Sequence, residues 1–233
     1  MVIIMLGAPA TGKGTVASVL SEELNIPQIS TGDLFRKNIA KKNKIGILAE
    51  KYISQGNLVP DEVTIEMVKT RLQEKDTDKG VILDGFPRTI VQAEALDEIL
   101  AEKNMKIDMV LNLSTPEEEI IERVITRRVC SNPECKTVYN TKLKPTKVEG
   151  ICDKCGSPVI TRKDDTVEAV KTRLKEYFEV TKPLVDFYEQ KGCLVTEEVS
   201  ESINRMGKEV AKEVAQRFQN KWNTWEFTGI AKK

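Results

Sequence analysis

Three glycines, a lysine and two threonines stand together in Gly7-Ala8-Pro9-Ala10-Thr11-Gly12-Lys13-Gly14-Thr15, directly after the apolar run Val2–Leu6. Glycines let a backbone turn tightly and aim several N–H groups at one anion. A helix start adjacent to them adds partial positive charge, and a lysine there reaches outer phosphates. The spacing fits G-x-x-x-x-G-K, with Gly14 where serine or threonine usually follows the lysine and Thr15 one place on. The stretch therefore predicts a loop that holds a polyphosphate, with a Gly-rich turn lacking any ligand as the plain alternative.

Two further groups carry chemistry. Asp84-Gly85-Phe86-Pro87-Arg88 follows the apolar Val81-Ile82-Leu83, so its aspartate falls at a strand end, where open α/β sheets bind ligands. An aspartate there can hold a metal-bound water beside a phosphate loop, and Arg88 can act as a planar phosphate fork. The alternative is an ordinary turn with a capping aspartate. Cys130-x4-Cys135 and, sixteen residues later, Cys152-x2-Cys155 have the spacing of two metal knuckles. Tetrahedral zinc takes four such thiolates, and a site closed by four cysteines is structural. Paired disulfides are the other reading. Cys193 stands apart, as a small hydrophobe.

The elements that position these groups follow from periodicity. Val2–Leu6 reads as a buried parallel strand, and Val16, Val19, Leu20 and Leu24 as one face of the helix after it. Ser30 or Thr31 caps a helix carrying Leu34, Phe35 and Ile39, with Arg36 on the side of Gly32 and Asp33. A helix near Ile45–Ile53 stops at Gln55-Gly56-Asn57, and another starts at Pro60-Asp61-Glu62. Residues 31 to 74 thus read as a helical insertion. After the strand at Val81–Asp84, a helix has Val91, Ala95, Leu96 and Ile99 inward, and Asp108–Leu113 is a further strand. The next helix carries Ile120, Ile121, Val124 and Ile125, with Arg123 and Arg127 expected one turn apart on its polar face. Residues 128 to about 163 form a small insertion. Helix returns at Asp164-Asp165 and breaks near Pro183, Cys193–Val195 is a last strand, and a terminal helix runs from Ile203 to Phe218. Strands and helices alternate as in a parallel sheet covered on both faces.

Composition narrows the function. The 233 residues contain no histidine, which removes imidazole bases and ligands. Phosphoryl transfer survives, since it depends on positioning and charge rather than on a protein base. With 36 basic and 36 acidic residues, no charge surplus points to nucleic acid or a membrane surface. No apolar run reaches a membrane span, and no basic segment precedes the first apolar run, so a cytoplasmic protein is expected.

The strings GAPATGKGT, STGDLFR, GNLVPDE, DGFPRT with Gln92, ERVITRRVC and TRKDDTVEAVKTRL, in this order, closely resemble the adenylate kinase family in its bacterial form with a long zinc-bearing lid. The resemblance covers roughly residues 1 to 195. It implies a P-loop nucleoside-monophosphate-kinase fold, a five-stranded parallel sheet with helices on both faces and two inserted arms. The activity implied is reversible phosphoryl transfer from Mg-ATP to AMP, giving two ADP, in a monomer. A core of 1–30, 61–127 and 164–219 would carry an AMP-binding arm at 31–60, a zinc lid at 128–163 and an extension at 220–233. Residue by residue, the resemblance puts Ala10, Thr11, Gly12, Lys13, Gly14, Thr15, Arg123 and Arg127 on ATP. It puts Thr31, Arg36, Asn57, Leu58, Val59, Gly85, Arg88 and Gln92 on AMP, with Gln92 reading the adenine edge. Arg162 and Arg173 would span both nucleotides, Asp164 and Asp165 orient the lid arginines, and Asp84 act through magnesium-bound water; Lys13, Arg88, Arg127, Arg162, Arg173 and Asp84 form the catalytic set. Cys130, Cys135, Cys152 and Cys155 would bind structural zinc. Two departures stand out: Ala10 where the family carries glycine, and Thr196-Glu197-Glu198 in place of a Gly-containing turn after the last strand. A kinase for UMP or CMP is the nearest alternative; a nucleotide switch would need an Asn-Lys-x-Asp that is missing here, and a zinc-ribbon binder more lid aromatics than Tyr139 alone.

Overall fold

Five consecutive apolar residues cannot sit on a half-solvated sheet, and Val2–Leu6 (β1) is buried along its whole length at the centre of a parallel sheet. The computed structural model describes residues 1–199 and, beyond them, Glu209, Lys212 and Gln216, which are helical. Apart from those three, the terminal helix expected from Ile203 to Phe218 and the extension with Trp222 and Trp225 lie outside the described residues.

Helix α1 (Lys13–Leu24) leads to β2 (Gln28–Ser30), then α2 (Thr31–Ala40), α3 (Lys44–Ile53) and α4 (Asp61–Leu72). Strand β3 (Val81–Asp84), α5 (Ile90–Glu102), β4 (Met109–Ser114) and α6 (Glu117–Ile125) follow. Three short strands come next, β5 (Arg127–Cys130), β6 (Val138–Asn140) and β7 (Val159–Ile160). Helices α7 (Val167–Glu176) and α8 (Pro183–Gln190) precede β8 (Leu194–Glu198). The main sheet has the order β2-β3-β1-β4-β8, all pairs parallel, as the five-stranded expectation has it. Its register sets Asp84 beside both Met5 and Ser30, so the phosphate loop, the Asp84 turn and the start of α2 leave the sheet at one edge.

Alternate side chains of the strands feed two cores, one with Ile4, Leu6, Leu83 and Phe86 and the other with Ile3, Met5, Ile82 and Leu111. A third cluster joins Ala8 to Ile120, Val124, Val170 and Leu174, beneath the phosphate loop. Away from the sheet, Phe35, Ala49 and Val59 form a small core of their own between α2, α3 and α4, against Tyr52, Ile53, Val63 and Met67. The antiparallel β6-β5-β7 sheet has a still smaller one, in which Tyr139 and Val159 pack with Cys130, Cys135 and Cys152.

Four sequence expectations change. The inner stripe of α5 is Gln92, Ala93, Leu96, Ile99 and Leu100, whereas Val91 is exposed, because the Gln92 amide finds partners that let it take the inward position. Arg123 and Arg127 do not share a helix face: α6 ends at Ile125, which is exposed, and Arg127 opens β5 by pairing with Asn140. Arg123 is itself buried, held by Thr115 and Glu119. The break near Pro183 is a π-helical turn over Tyr177–Thr181, closed by Lys182 N–H donating to the Tyr177 carbonyl at 2.7 Å, with Val167 and Phe178 left exposed. Finally, Thr196-Glu197-Glu198 is strand rather than turn, since β8 continues its ladder with β4 as far as Ser114.

Candidate active site

The loop after β1 is shaped by its glycines. A Cβ on Gly7 (φ +133°) would stand 2.3 Å from the Leu113 carbonyl oxygen, so only glycine lets β1 turn there against β4. Gly12 (φ 93°) is the N-cap of α1. Ala10 adopts φ 60°, a left-handed conformation that costs an alanine energy and a glycine almost none. Thr11 is buried and donates its hydroxyl to the Ala8 carbonyl at 3.0 Å. Lys13 folds back over the loop, its Nζ donating to the carbonyls of Gly7 and Ala8 at 2.7 and 2.6 Å. Burial lowers its pKa to about 8, helped by Arg88 and Arg127 and opposed by Asp84. The loop thus holds a desolvated ammonium among backbone carbonyls, a setting that suits an anion.

Asp84 closes the other side. Its Oδ2 accepts from Gln28 Nε2 at 3.3 Å and lies 3.4 Å from where a Gly14 Cβ would be, at the first turn of α1. In the next loop, the Gly85 carbonyl accepts from both Thr31 Oγ1 at 2.8 Å and Arg88 Nε at 3.0 Å, which locks Arg88 to the start of α2. Gly85 has φ +80°, and a Cβ would press on Thr31 Oγ1 and Arg88. Burial lowers the Arg88 pKa, Arg173 and Arg36 lower it further, and Asp84 partly offsets them. Arg36 pairs with Asp33 at 2.5 Å. The Asp33 carboxyl, although burial alone would raise its pKa, is held below the usual range by Arg36, Lys136 and Arg162. Lys136, from the cysteine-bearing segment, approaches Asp33 to 3.4 Å and so bridges the two insertions.

The remaining arginines come from the hinge of the β6-β5-β7 segment. Arg127 grips the buried Asp165 with both ends of its fork, Nε at 2.9 Å to Oδ2 and the second nitrogen on Oδ1. Arg173 bonds Asp164 through carbonyl and carboxylate, and its other nitrogen is 3.6 Å from Asp165. Arg162 faces Arg36 and Arg127, and burial with that repulsion lowers its pKa to about 10 despite Asp165 and Asp33. A cavity of about 780 Å³ collects these groups. Every residue expected on a nucleotide lines it except Thr11, which holds the loop from inside. Arg123 lines it while also tied to Thr115, Glu119 and the Val199 carbonyl. The sequence missed Gln28 and Lys136, both on its rim; long polar side chains carry no spacing signal that would have singled them out.

Outside the cavity core, the sulfurs of Cys130, Cys135, Cys152 and Cys155 all lie within 4.8 Å of one another. Cys130 and Cys155 are 3.4 Å apart, and Cys135 and Cys152 3.7 Å. Thiolates on a tetrahedral zinc at about 2.3 Å stand about 3.8 Å apart, so this set fits the ion, and too closely for four unrelated thiols. The Tyr139 hydroxyl, 3.3 Å from Cys152 Sγ and accepting from Asp153 N–H at 2.8 Å, supports the second knuckle from inside.

The adenylate kinase family model matches residues 5–193. A protein of Ruminiclostridium cellulolyticum named adenylate kinase is 50% identical over 212 residues, 91% of this chain and 98% of that one. Adenylate kinases of Clostridium beijerinckii and Streptomyces coelicolor are 52% and 50% identical, across 88% and 84% of this chain and 94% and 90% of theirs.

Proposed function

The chain belongs to the adenylate kinase family and transfers a phosphoryl group reversibly from Mg-ATP to AMP, and we propose that the cavity described above divides that work between its two sides. The observation that carries this reading is one cavity lined by Lys13 on one side, by Thr31, Arg88 and Gln92 on the other, and by Arg162 and Arg173 between them. Lys13 exchanges its carbonyl partners for the β- and γ-phosphates of ATP, which favour its charged form. Arg88, steered by Gly85, holds the α-phosphate of AMP, and Arg36 assists it. The bond from the γ-phosphorus to the bridging oxygen breaks as an AMP phosphate oxygen bonds to that phosphorus. That oxygen is already anionic, so no protein base is needed, consistent with the absence of histidine. Arg127, Arg162 and Arg173 stabilise the charge in flight. Asp84 would hold water on the magnesium that accompanies ATP, an ion that neutralises the phosphate oxygens.

Residues 31–60 act as the AMP arm and 128–163 as the lid, each with its own small cluster, the core being 1–30, 61–127 and 164–219 with 220–233 an extension. Val63 and Met67 extend the arm cluster into α4, and β5 begins at Arg127, one residue before the lid. Lid closure, for which adenylate kinases are a standing example, keeps water from the transferred group. Among the described residues no helix is long and apolar enough to cross a membrane. The reading includes a cytoplasmic monomer, and the balance of 36 basic and 36 acidic residues favours no nucleic-acid partner. The test is a coupled assay with AMP, UMP, CMP and GMP offered separately against ATP. Turnover with AMP far above the others is expected; equal or better turnover with UMP or CMP would overturn the assignment of the second site.

A further inference from the structure

We propose that Asp61 sets the base selectivity of the monophosphate site by fixing which way round the Gln92 amide faces, an inference that rests on Gln92 meeting the base edge. Gln92 is buried yet lines the cavity. Its Oε1 accepts from the Arg88 backbone N–H at 2.7 Å, and its Nε2 donates to Asp61 Oδ1 at 2.7 Å. A backbone N–H can only donate and a carboxylate can only accept, so the two partners dictate the orientation. Turning the amide over would set Nε2 against the Arg88 N–H and Oε1 against the Asp61 carboxylate. Both contacts would become repulsive.

Asp61 is itself held in place. It is the first residue of α4, and its Oδ2 accepts from the Thr89 hydroxyl at 3.1 Å. That hydroxyl also accepts from the Gln92 backbone N–H at 3.1 Å as the N-cap of α5. Aspartate, threonine and glutamine thus form a closed ring joining the starts of two helices. Asp61 and Thr89 are not among the residues lining the cavity, so Asp61 acts through Gln92 and is a positioning residue.

With those bonds made, Gln92 has one Nε2 hydrogen and one Oε1 lone pair left. The pair matches a base edge that offers a ring acceptor beside an exocyclic amine, as a 6-aminopurine does. A 6-oxopurine presents the reverse, a ring N–H beside a carbonyl, and would leave buried groups unpaired. Asparagine at position 61 can donate as well as accept. A flipped Gln92 would then lose one favourable contact instead of two.

The experiment measures kcat and KM for AMP and for IMP, with ATP as donor, in the wild type, Asp61→Asn, Gln92→Ala and the double variant, with melting curves on the same preparations. Asp61→Asn is expected to narrow the AMP-to-IMP ratio of kcat/KM about tenfold, the scale of one charged hydrogen bond. Its kcat with AMP and its KM for ATP should stay within about twofold. Gln92→Ala should abolish most of the selectivity, and Asp61→Asn should add nothing in that background. If Gln92→Ala lowers selectivity while Asp61→Asn keeps the wild-type ratio, the AMP site stands and the role of Asp61 is wrong. That role is equally wrong if Asp61→Asn narrows the ratio to the same extent with and without Gln92. If Gln92→Ala leaves both the KM for AMP and the ratio unchanged, the placement of the base at Gln92 fails first. Should Asp61→Asn not fold, Asp61→Ser, whose hydroxyl also donates and accepts, carries the same comparison.

Discussion

On the sheet side of the cleft Lys13 and Arg88 hang on backbone carbonyls, whereas on the lid side Arg127 and Arg173 are gripped by the carboxylates of Asp165 and Asp164. Carbonyl oxygens steer a cation but cannot neutralise it. Asp84 offsets only part of the positive charge on the sheet side, burial lowers both pKa values, and a phosphate is the natural partner for the rest. On the lid side Arg127 and Arg173 are compensated by those carboxylates, while Arg162, facing Arg36 and Arg127, shares the excess of positive charge. The cores differ in the same sense. The sheet side stands on strands buried on both faces, while the lid has little beyond Tyr139, Val159 and four cysteines. A floor buried on both faces can hold uncompensated charge; a segment with so small an apolar cluster needs a metal for a core.

Arg88→Ala is the sharpest way to break this contrast. Losing a phosphate clamp on the floor should lower kcat on the order of a thousandfold. The melting temperature should hold or rise, because Arg173 and Arg36 repel the group that is removed. Arg88→Lys should recover only part of the rate, since a point charge cannot replace a fork. Steady-state kinetics with a melting curve decide it. Near-normal turnover in Arg88→Ala would mean that the floor does not hold its charge for a phosphate.

On the lid side, purified protein is expected to hold about one zinc per chain, as a closed tetrathiolate implies. Cys152→Ser should lower kcat on the order of tenfold, by loosening the lid that Arg127 and Arg162 flank, and should bring an early melting step while the sheet stays folded. Elemental analysis and circular dichroism read both effects. Metal-free protein with all its cysteines reactive in the native state would remove the metal core from the comparison.

Lys13 sharpens it through pH. Its pKa of about 8 in the ligand-free protein should rise when ATP phosphates arrive, so binding takes up protons, about half a proton at pH 8 and more at pH 9. The sign for stability is the opposite of a salt-bridged lysine. The folded pKa is below the unfolded value of 10.5, so the fold binds fewer protons there and this group's contribution improves as pH climbs from about 8 towards 10.5. Titration calorimetry in buffers of different ionisation enthalpy measures the uptake. No uptake at either pH would mean that the floor lysine is fully charged before ATP binds.

Much of this arrangement is legible in the sequence, for a physical reason. The phosphate loop, the Asp84 turn and the cysteine pairs are local, and glycine, proline and cysteine at short spacing constrain few geometries. Arg127 was legible as a site residue but not as a strand residue, because the pairing with Asn140 that ends α6 is a tertiary contact. Arg123 shows the limit of periodicity, since a charged residue on a strongly amphipathic helix reads as solvent-facing until Thr115 and Glu119 are seen to enclose it. The ring of Asp61, Thr89 and Gln92 spans about thirty residues and leaves no spacing signal at all.

Ala10 gives the smallest test, and one in which opposing effects must be weighed. Its φ of 60° costs an alanine ~1–2 kcal/mol that glycine would not bear. Against this, Ala10→Gly loosens the unfolded chain by ~0.4–1 kcal/mol. It also removes a half-buried methyl that packs beside the cluster of Ile120, Val124, Val170 and Leu174, a loss of ~0.4 kcal/mol, half the value of a buried methylene. The balance is ~0.5 kcal/mol in favour of glycine, which for a chain of this length is a rise of about 1–2 °C in the melting temperature. Glycine leaves the path of the loop unchanged, so the KM for ATP should move by less than about twofold. A melting temperature that falls by several degrees would mean that the methyl contact with the lid-side helices, rather than the backbone, sets the stability of the floor at this point.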